Sequence, residues 1–201
     1  MAKSAQQAWE NPSLHSGRQE YASKALRQFV EGLGVEGKGQ ILDVGSVCGD
    51  NINFFTRLIK RLYVCDIFFH LVQGVGKGGS SHRVWEHLDY PPGSFEGILL
   101  WDLIDRLEDR DAREVVRRCY SMTKRGGMVM MLATGQQAFS KVLNSFVVID
   151  EFRVYLRPRE GLQLPLYVRQ NREVLEMLAP FDLITSFIYR DGTREFLFRR
   201  P

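Results

Sequence analysis

The sequence predicts an α/β domain: a doubly wound, mostly parallel, seven-stranded sheet that finishes in an antiparallel C-terminal β-hairpin. Three observations lead there. Apolar runs such as 97–101 (GILLW) and 128–133 (MVMMLA) are continuous rather than alternating, as in strands covered on both faces. They alternate along the chain with segments of helical period. Near the end, Asp191-Gly192 separates two strand-like stretches, and Asp-Gly favours a tight hairpin turn because both positions tolerate positive φ.

The elements follow in order. Ser16 and Gln19 fit a capping box ahead of Ala22, Ala25, Leu26, Phe29, Val30 and Leu33, which share one helical face; Gly32 and Gly34 stop that helix. Residues 40–44 (QILDV) read as a buried strand. Residues 51–60 read as a helix with Ile52, Phe55, Leu58 and Ile59 inward, and 61–66 (RLYVCD) as a second strand ending in Asp66. A glycine-rich loop spans 73–82, and 82–85 (HRVW) is a short third strand. The two prolines in 90–96 (YPPGSFE) require a turn. The fourth strand, 97–101, precedes a helix over 111–124 with Ala112, Val115, Val116 and Cys119 inward. Gly126-Gly127 closes that helix before the fifth strand, 128–133. Asn171 caps a short helix through Leu178, and Pro180 ends it.

Composition narrows the function classes. A chain of 201 residues suits one well-packed domain. A net charge of +3 is too small for a nucleic-acid-binding domain. Cys48, Cys65 and Cys119 are odd in number and far apart, which points to reduced thiols in a cytoplasmic setting. The N-terminal residues lack the apolar core of a signal peptide, and no apolar run reaches the roughly 20 residues of a membrane span. His15, His70, His82 and His87 show no metal-ligand spacing, so no metal is expected.

The stretch 41–49 (ILDVGSVCG) raises the functional question. It places Asp43 at the end of a buried strand, then Gly45, then Gly49 at a helix start. Open α/β sheets bind ligands at the carboxyl ends of their strands. The helix N-terminus suits an anion and Asp43 suits a cation, so the pair suits a zwitterion. Asp66, about 20 residues after Gly45, can accept both hydroxyls of a ribose. A ligand with an amino-acid end and a ribose end satisfies both. Asp43 could equally cap the turn through backbone amides.

Here the sequence resembles the class I S-adenosylmethionine-dependent methyltransferases. Their first motif, apolar-apolar-Asp-x-Gly-x-Gly-x-Gly, is matched at Asp43, Gly45 and Gly49, with Val47 in place of the middle glycine. The segment 88–109 is similar to the family's fourth-strand region, with Phe95 matching its aromatic and Glu96 replacing its Asp. The segment 122–132 (MTKRGGMVMML) is similar to its Leu-Lys-Pro-Gly-Gly segment, with Arg125 for proline. The resemblance covers about residues 38–134 and 171–200. It implies the Rossmann-like methyltransferase fold, S-adenosyl-L-methionine as cofactor, and methyl transfer.

The implied cofactor-binding residues are Asp43, Gly45, Ser46, Gly49, Asp66, Ile67, Trp85, Glu86, Trp101 and Asp102. Trp85 would stack on adenine and Glu86 accept its amino group. Trp101 would shape the pocket mouth. Asp102 would meet the methionine amino group or the substrate, or else simply start the next turn. Asp105, Glu108 and Asp109 read as surface charges, and Cys48 as packing. No catalytic residue is assigned. Residues 1–36 would form an N-terminal helical lid with His15 and Tyr21 over the cofactor, 37–134 the cofactor-binding core, 135–170 an insertion serving as substrate cap, and 171–201 the last helix and hairpin. The five arginines of 152–172 read as a solvated face, with an anionic substrate or partner as the alternative. A small-molecule methyl acceptor is expected, with a protein side chain second and neither nucleic acid nor membrane as partner; oligomeric state is not read. Two other readings stand beside this one: a non-catalytic binding or regulatory module of the same fold, and, more weakly, a nicotinamide-dependent dehydrogenase.

Overall fold

The computed structural model of the protein describes residues 20–34, 39–76, 83–133 and 142–201. Its main sheet has six strands in the order β3-β2-β4-β5-β9-β8. Strands β2 (Gln40–Asp43), β3 (Arg61–Val64), β4 (Phe95–Trp101) and β5 (Thr123–Ala133) run parallel. The hairpin β8 (Asp182–Ile188) and β9 (Arg194–Arg199) closes one side, with β9 antiparallel to β5. Gly192 sits at the hairpin turn with φ +83°, the conformation for which glycine is suited.

Among the described residues the sheet is thus six-stranded, with the expected parallel strands and antiparallel hairpin but no seventh strand. The expected strand at 82–85 is instead a 3₁₀ turn, Val84–His87; His82 lies outside the described residues. Arg83 has φ +76°, which breaks extension, and the His87 ring stacks on His70 at 3.5 Å. Residues 73–76 of the expected glycine loop belong to helix α3 (Ile67–Gly76); 77–82 lie outside the described residues.

Parallel strands need crossovers, and these are α2 (Gly49–Thr56), α3 and α4 (Asp109–Met122). Burial alternates along the covered strands. Ile98 and Leu100 of β4 join Val129 and Met131 of β5 against α3, α4 and α5 (Asn171–Met177). Leu99, Trp101, Met128 and Met130 face the other way, against α1 (Lys24–Gly32) and α2. This two-sided burial explains the continuous apolar runs. Gly97 marks a close approach: an added Cβ would fall against Phe29 Cζ, 2.8 Å from Phe29 Cε2 and 2.9 Å from Leu33 Cδ2. Gly97→Ala is therefore expected to cost about 1–3 kcal/mol by overpacking, read as a shifted denaturant midpoint with unchanged slope.

Several boundaries differ from expectation. Helix α1 starts after Ser23, whose Oγ accepts from Leu26 N–H at 3.0 Å. Ala22 belongs to a strand, and Ser16 and Gln19 lie outside the described residues. Ala25, Leu26 and Phe29 are fully buried, so α1 packs as a core helix against the sheet; residues 1–19 of the expected lid lie outside the described residues. Strand β5 starts at Thr123, with Gly126 at φ +75° inside it, so the glycine pair does not close α4. Helix α5 is capped by Gln170, not Asn171, in a reciprocal box with Glu173.

The 135–170 segment holds the largest surprise. Strand β6 (Val142–Val148) and β7 (Arg153–Gln163) form an antiparallel pair, and β1 (Glu20–Ala22) joins β7 to make a second, three-stranded sheet. The arginines around it are mostly engaged. Arg153 pairs with Glu20 at 3.6 Å, Arg157 with Asp50 at 2.8 Å and Arg172 with Glu176 at 2.7 Å, while Arg169 is buried. Among the described residues no helix is long and apolar enough to cross a membrane.

Candidate functional site

The turn 43–49 leaves β2 at the centre of the parallel half and enters α2. Two acids grip it from either side. Asp43 Oδ1 accepts from Gly45 N–H at 2.9 Å, and Asp66 Oδ2 accepts from Val47 N–H at 3.1 Å. Asp66 Oδ1 also accepts from Phe69 N–H at 2.9 Å, capping the first turn of α3. Each Asp66 oxygen keeps a free lone pair, and the residue is half-buried. Val47 is 54% exposed, so its side chain leaves the turn rather than filling it.

Asp43 is buried, and burial holds its carboxyl up to about 6; Trp101 and Gly45 hydrogen bonds oppose this, and Asp66 adds to it. Its partners among the described residues are an indole and a peptide N–H, not a cation. Ser46 is buried, and its Oγ has no hydrogen-bond partner among the described residues.

Trp101 decides the shape above the turn. Its φ is +47°, a costly conformation for a large residue. That twist lays the indole over Gly45, with Nε1 donating to Asp43 Oδ1 at 2.6 Å. A Cβ on Gly45 would stand 2.6 Å from Trp101 Nε1 and 2.9 Å from Asp43 Oδ1. The close approach that requires glycine here is therefore made by the protein's own tryptophan. Phe146 of β6 stacks parallel on the indole at 5.7 Å. Asn51 ties β6 to α2, donating to Phe146 O and accepting from Val148 N–H, each at 2.8 Å. Cys48 packs with Val147 and Tyr155, and Arg157 reaches both Cys48 Sγ (3.2 Å) and Asp50. The second sheet thus covers the N-terminus of α2.

The remaining expected residues fall as follows. A Cβ on Gly49 would meet nothing within 4 Å, so no strand presses on it. Ile67 is fully buried in the core. Trp85 packs half-buried beside the cluster that holds Cys65 and Ile67. The 84–87 turn is joined to the end of β3 where Cys65 Sγ donates to His87 O at 3.6 Å. Glu86 is exposed and paired with Arg83 at 3.3 Å. Asp102 does not open onto the turn: it is fully buried, with Oδ2 bound to Arg106 Nε at 3.0 Å. Burial raises its pKa, opposed by Arg106. Asp105 is also fully buried, contrary to its reading as a surface charge. Asp109 is exposed but pairs with Arg169 at 2.8 Å. Tyr21 meets Tyr189 in a tilted ring contact at 4.6 Å, a packing position; His15 lies outside the described residues. Asn51 and Phe146 carry no signal in the sequence, because their roles arise from contact between segments about 95 residues apart.

No protein-family model matches the sequence, and no curated protein matches it. Solved structures do. A putative methyltransferase of Haloferax volcanii, solved with the Trm112 methyltransferase activator, superposes with TM-score 0.59 at 12% identity over 88% of each chain. The N-methyltransferase NodS of Bradyrhizobium japonicum gives 0.52 at 14% identity, covering 88% of this chain and 92% of its own. Its complex with S-adenosyl-L-homocysteine gives 0.51 at 15% identity, covering 88% and 84%. The fold is that of the class I S-adenosylmethionine-dependent methyltransferases.

Proposed function

We propose that this chain is an S-adenosylmethionine-dependent methyltransferase acting on a small-molecule acceptor, with the cofactor held at the turn 43–49. The observation that carries the reading is the convergence of Asp43 and Asp66 on one turn from two strands. The residues present fit such a ligand. Asp66 has lone pairs left for two ribose hydroxyls. The unpartnered Ser46 hydroxyl can bond the ligand carboxylate beside the α2 N-terminus. The desolvated Asp43 carboxylate, which has no cation partner among the described residues, matches an ammonium. When bound, the cofactor supplies a sulfonium methyl group as electrophile. The chain's part is then alignment and exclusion of water, which contribute roughly 7–11 kcal/mol in well-oriented reactions. Trp101, Phe146 and the second sheet are the apolar cover that excludes water.

Calorimetry with S-adenosylmethionine and S-adenosyl-L-homocysteine tests this. Saturable binding is expected. Asp66→Ala should weaken it about 10- to 150-fold, since a hydrogen bond to a charged group contributes about 1.5–3 kcal/mol. Unchanged affinity in that variant, with its circular dichroism intact, would remove Asp66 from the site. The indole laid over Gly45 favours a second reading, a non-catalytic module whose turn is closed by its own side chain; absence of binding at millimolar ligand would establish that one instead.

A further inference from the structure

The two ends of the proposed ligand do not find the turn 43–49 equally open. At the nucleoside end Asp66 is half-buried, keeps a lone pair on each oxygen and stands beside an exposed Val47. At the amino-acid end Asp43 Oδ1 is already taken. It accepts from Gly45 N–H at 2.9 Å and from Trp101 Nε1 at 2.6 Å. The indole fills the space over Gly45 so closely that a Cβ could not share it.

Two features of β4 put the indole there. Its pairing with β5 slips between Leu99 and Trp101, and such a bulge re-aims the side chain beside it. Trp101 then takes φ +47°, which a bulky residue disfavours. The buried carboxylate and the parallel Phe146 ring at 5.7 Å hold the indole in a conformation that its own backbone opposes. Local preference set against tertiary contact is a source of two states of similar energy. The chain on either side is fixed. Asp102 is fully buried and bonded to Arg106 at 3.0 Å, and Leu103 N–H bonds to Leu100 O at 3.0 Å. Movement is thereby confined to Trp101 itself.

We infer that Trp101 is a latch on the amino-acid end of the cofactor site: its indole N–H occupies the Asp43 oxygen that the ligand ammonium takes, and the ligand enters as the indole swings out. The inference rests on the cofactor site proposed above. A neutral indole N–H is a weaker partner for a buried carboxylate than an ammonium, whose charge strengthens the bond, so the ligand can displace it. Both compete for one acceptor, and the apparent affinity is the intrinsic one reduced by the fraction of open chains. The nucleoside end takes no part in that competition.

Calorimetry on the full chain with two ligands tests this: S-adenosyl-L-homocysteine, and 5′-methylthioadenosine, a nucleoside thioether without the amino-acid end. Trp101→Phe keeps an aromatic ring for Phe146 but loses the N–H. Trp101→Gly clears the space over Gly45 and suits a positive φ. Both variants should bind S-adenosyl-L-homocysteine about 5- to 150-fold more tightly than the parent, the usual span of such couplings, with unchanged affinity for 5′-methylthioadenosine. In nitrogen-15-labelled parent, the indole N–H resonance that Trp101→Phe removes should be protected from exchange with water. It should shift and lose protection on saturation with S-adenosyl-L-homocysteine but not with 5′-methylthioadenosine. A tryptophan with a packing role alone would show neither the gain nor the shift. A parent that binds only 5′-methylthioadenosine, with variants that bind both ligands, upholds the latch in its tightest form. Equal or weaker S-adenosyl-L-homocysteine binding by Trp101→Phe, with unchanged circular dichroism, overturns the latch and leaves the cofactor site standing. Failure of both ligands to bind parent and variants alike removes the site, and the latch with it.

Discussion

Replacing Arg169 by methionine is expected to lower stability by about 3–5 kcal/mol, the largest single effect anticipated for this chain. Arg169 is 4% exposed and reads in the sequence as one of several solvated arginines. In the fold its guanidinium staples the segment after β4. Nη1 donates to Ile104 O at 2.5 Å, and Nη2 donates to Leu107 O at 2.7 Å and to Asp109 at 2.8 Å. Tyr167 N–H adds a bond to Asp105 O at 2.7 Å. Asp109 is largely exposed, so its ion pair contributes little. The cost comes from the carbonyls. Methionine fills much of the volume but removes the guanidinium donors from two buried carbonyls, leaving Ile104 O with only the long 3.4 Å bond from Leu107 N–H, at about 1–3 kcal/mol each. For a chain of this size that is roughly a 10 °C fall in melting temperature. A loss below about 1 kcal/mol would mean that water replaces the guanidinium at both carbonyls.

Asp43→Asn is expected to separate stability from ligand binding. The Asp43 carboxyl lies at about 6 in the folded chain against an ordinary 3.8. A raised carboxyl binds its proton more tightly folded than unfolded, so folding is favoured by protonation. This contribution is present below about pH 4, declines between about 4 and 6, and is gone above that. The ionised form at neutral pH then costs up to about 3 kcal/mol, at about 1.36 kcal/mol per unit. Asparagine keeps an oxygen for Gly45 N–H and Trp101 Nε1 but carries no charge. The variant should be as stable as the parent or more so at pH 7.5, and should lose the decline between pH 4 and 6. Urea titrations at pH 4.5 and 7.5 check both. The proposed function adds a second readout: affinity for S-adenosylmethionine should fall in a variant that is no less stable. If Asp43→Asn is destabilised at both pH values and binds as before, the carboxylate serves only the turn.

The same residues show how much of the site was legible. Asp43 at the end of β2 and Asp66 two residues past the end of β3 could be located from local pattern alone, because both acids act on backbone within three residues or across one neighbouring strand. Trp101 could be placed at the end of β4 but not oriented. Its positive φ is held by the Asp43 carboxylate and the Phe146 ring, partners 58 and 45 residues away in sequence. Asp102 and Asp105 looked like pocket or surface charges, and became buried because β4 continues into a 3₁₀ turn, Ile104–Arg106, that folds back under Arg169.

By itself the sequence determined the parallel strands β2, β4 and β5, helix α4 and the C-terminal hairpin. These elements bury one face or both, so their periodicity carries their identity, and Asp-Gly dictates its own turn. Only the tertiary structure decided the rest: that the described strands of the main sheet number six, that β1, β6 and β7 form a second sheet over the start of α2, and that Trp101 covers Gly45. Strand pairing between distant segments stores its information in the partner, where neither local period nor turn chemistry can report it.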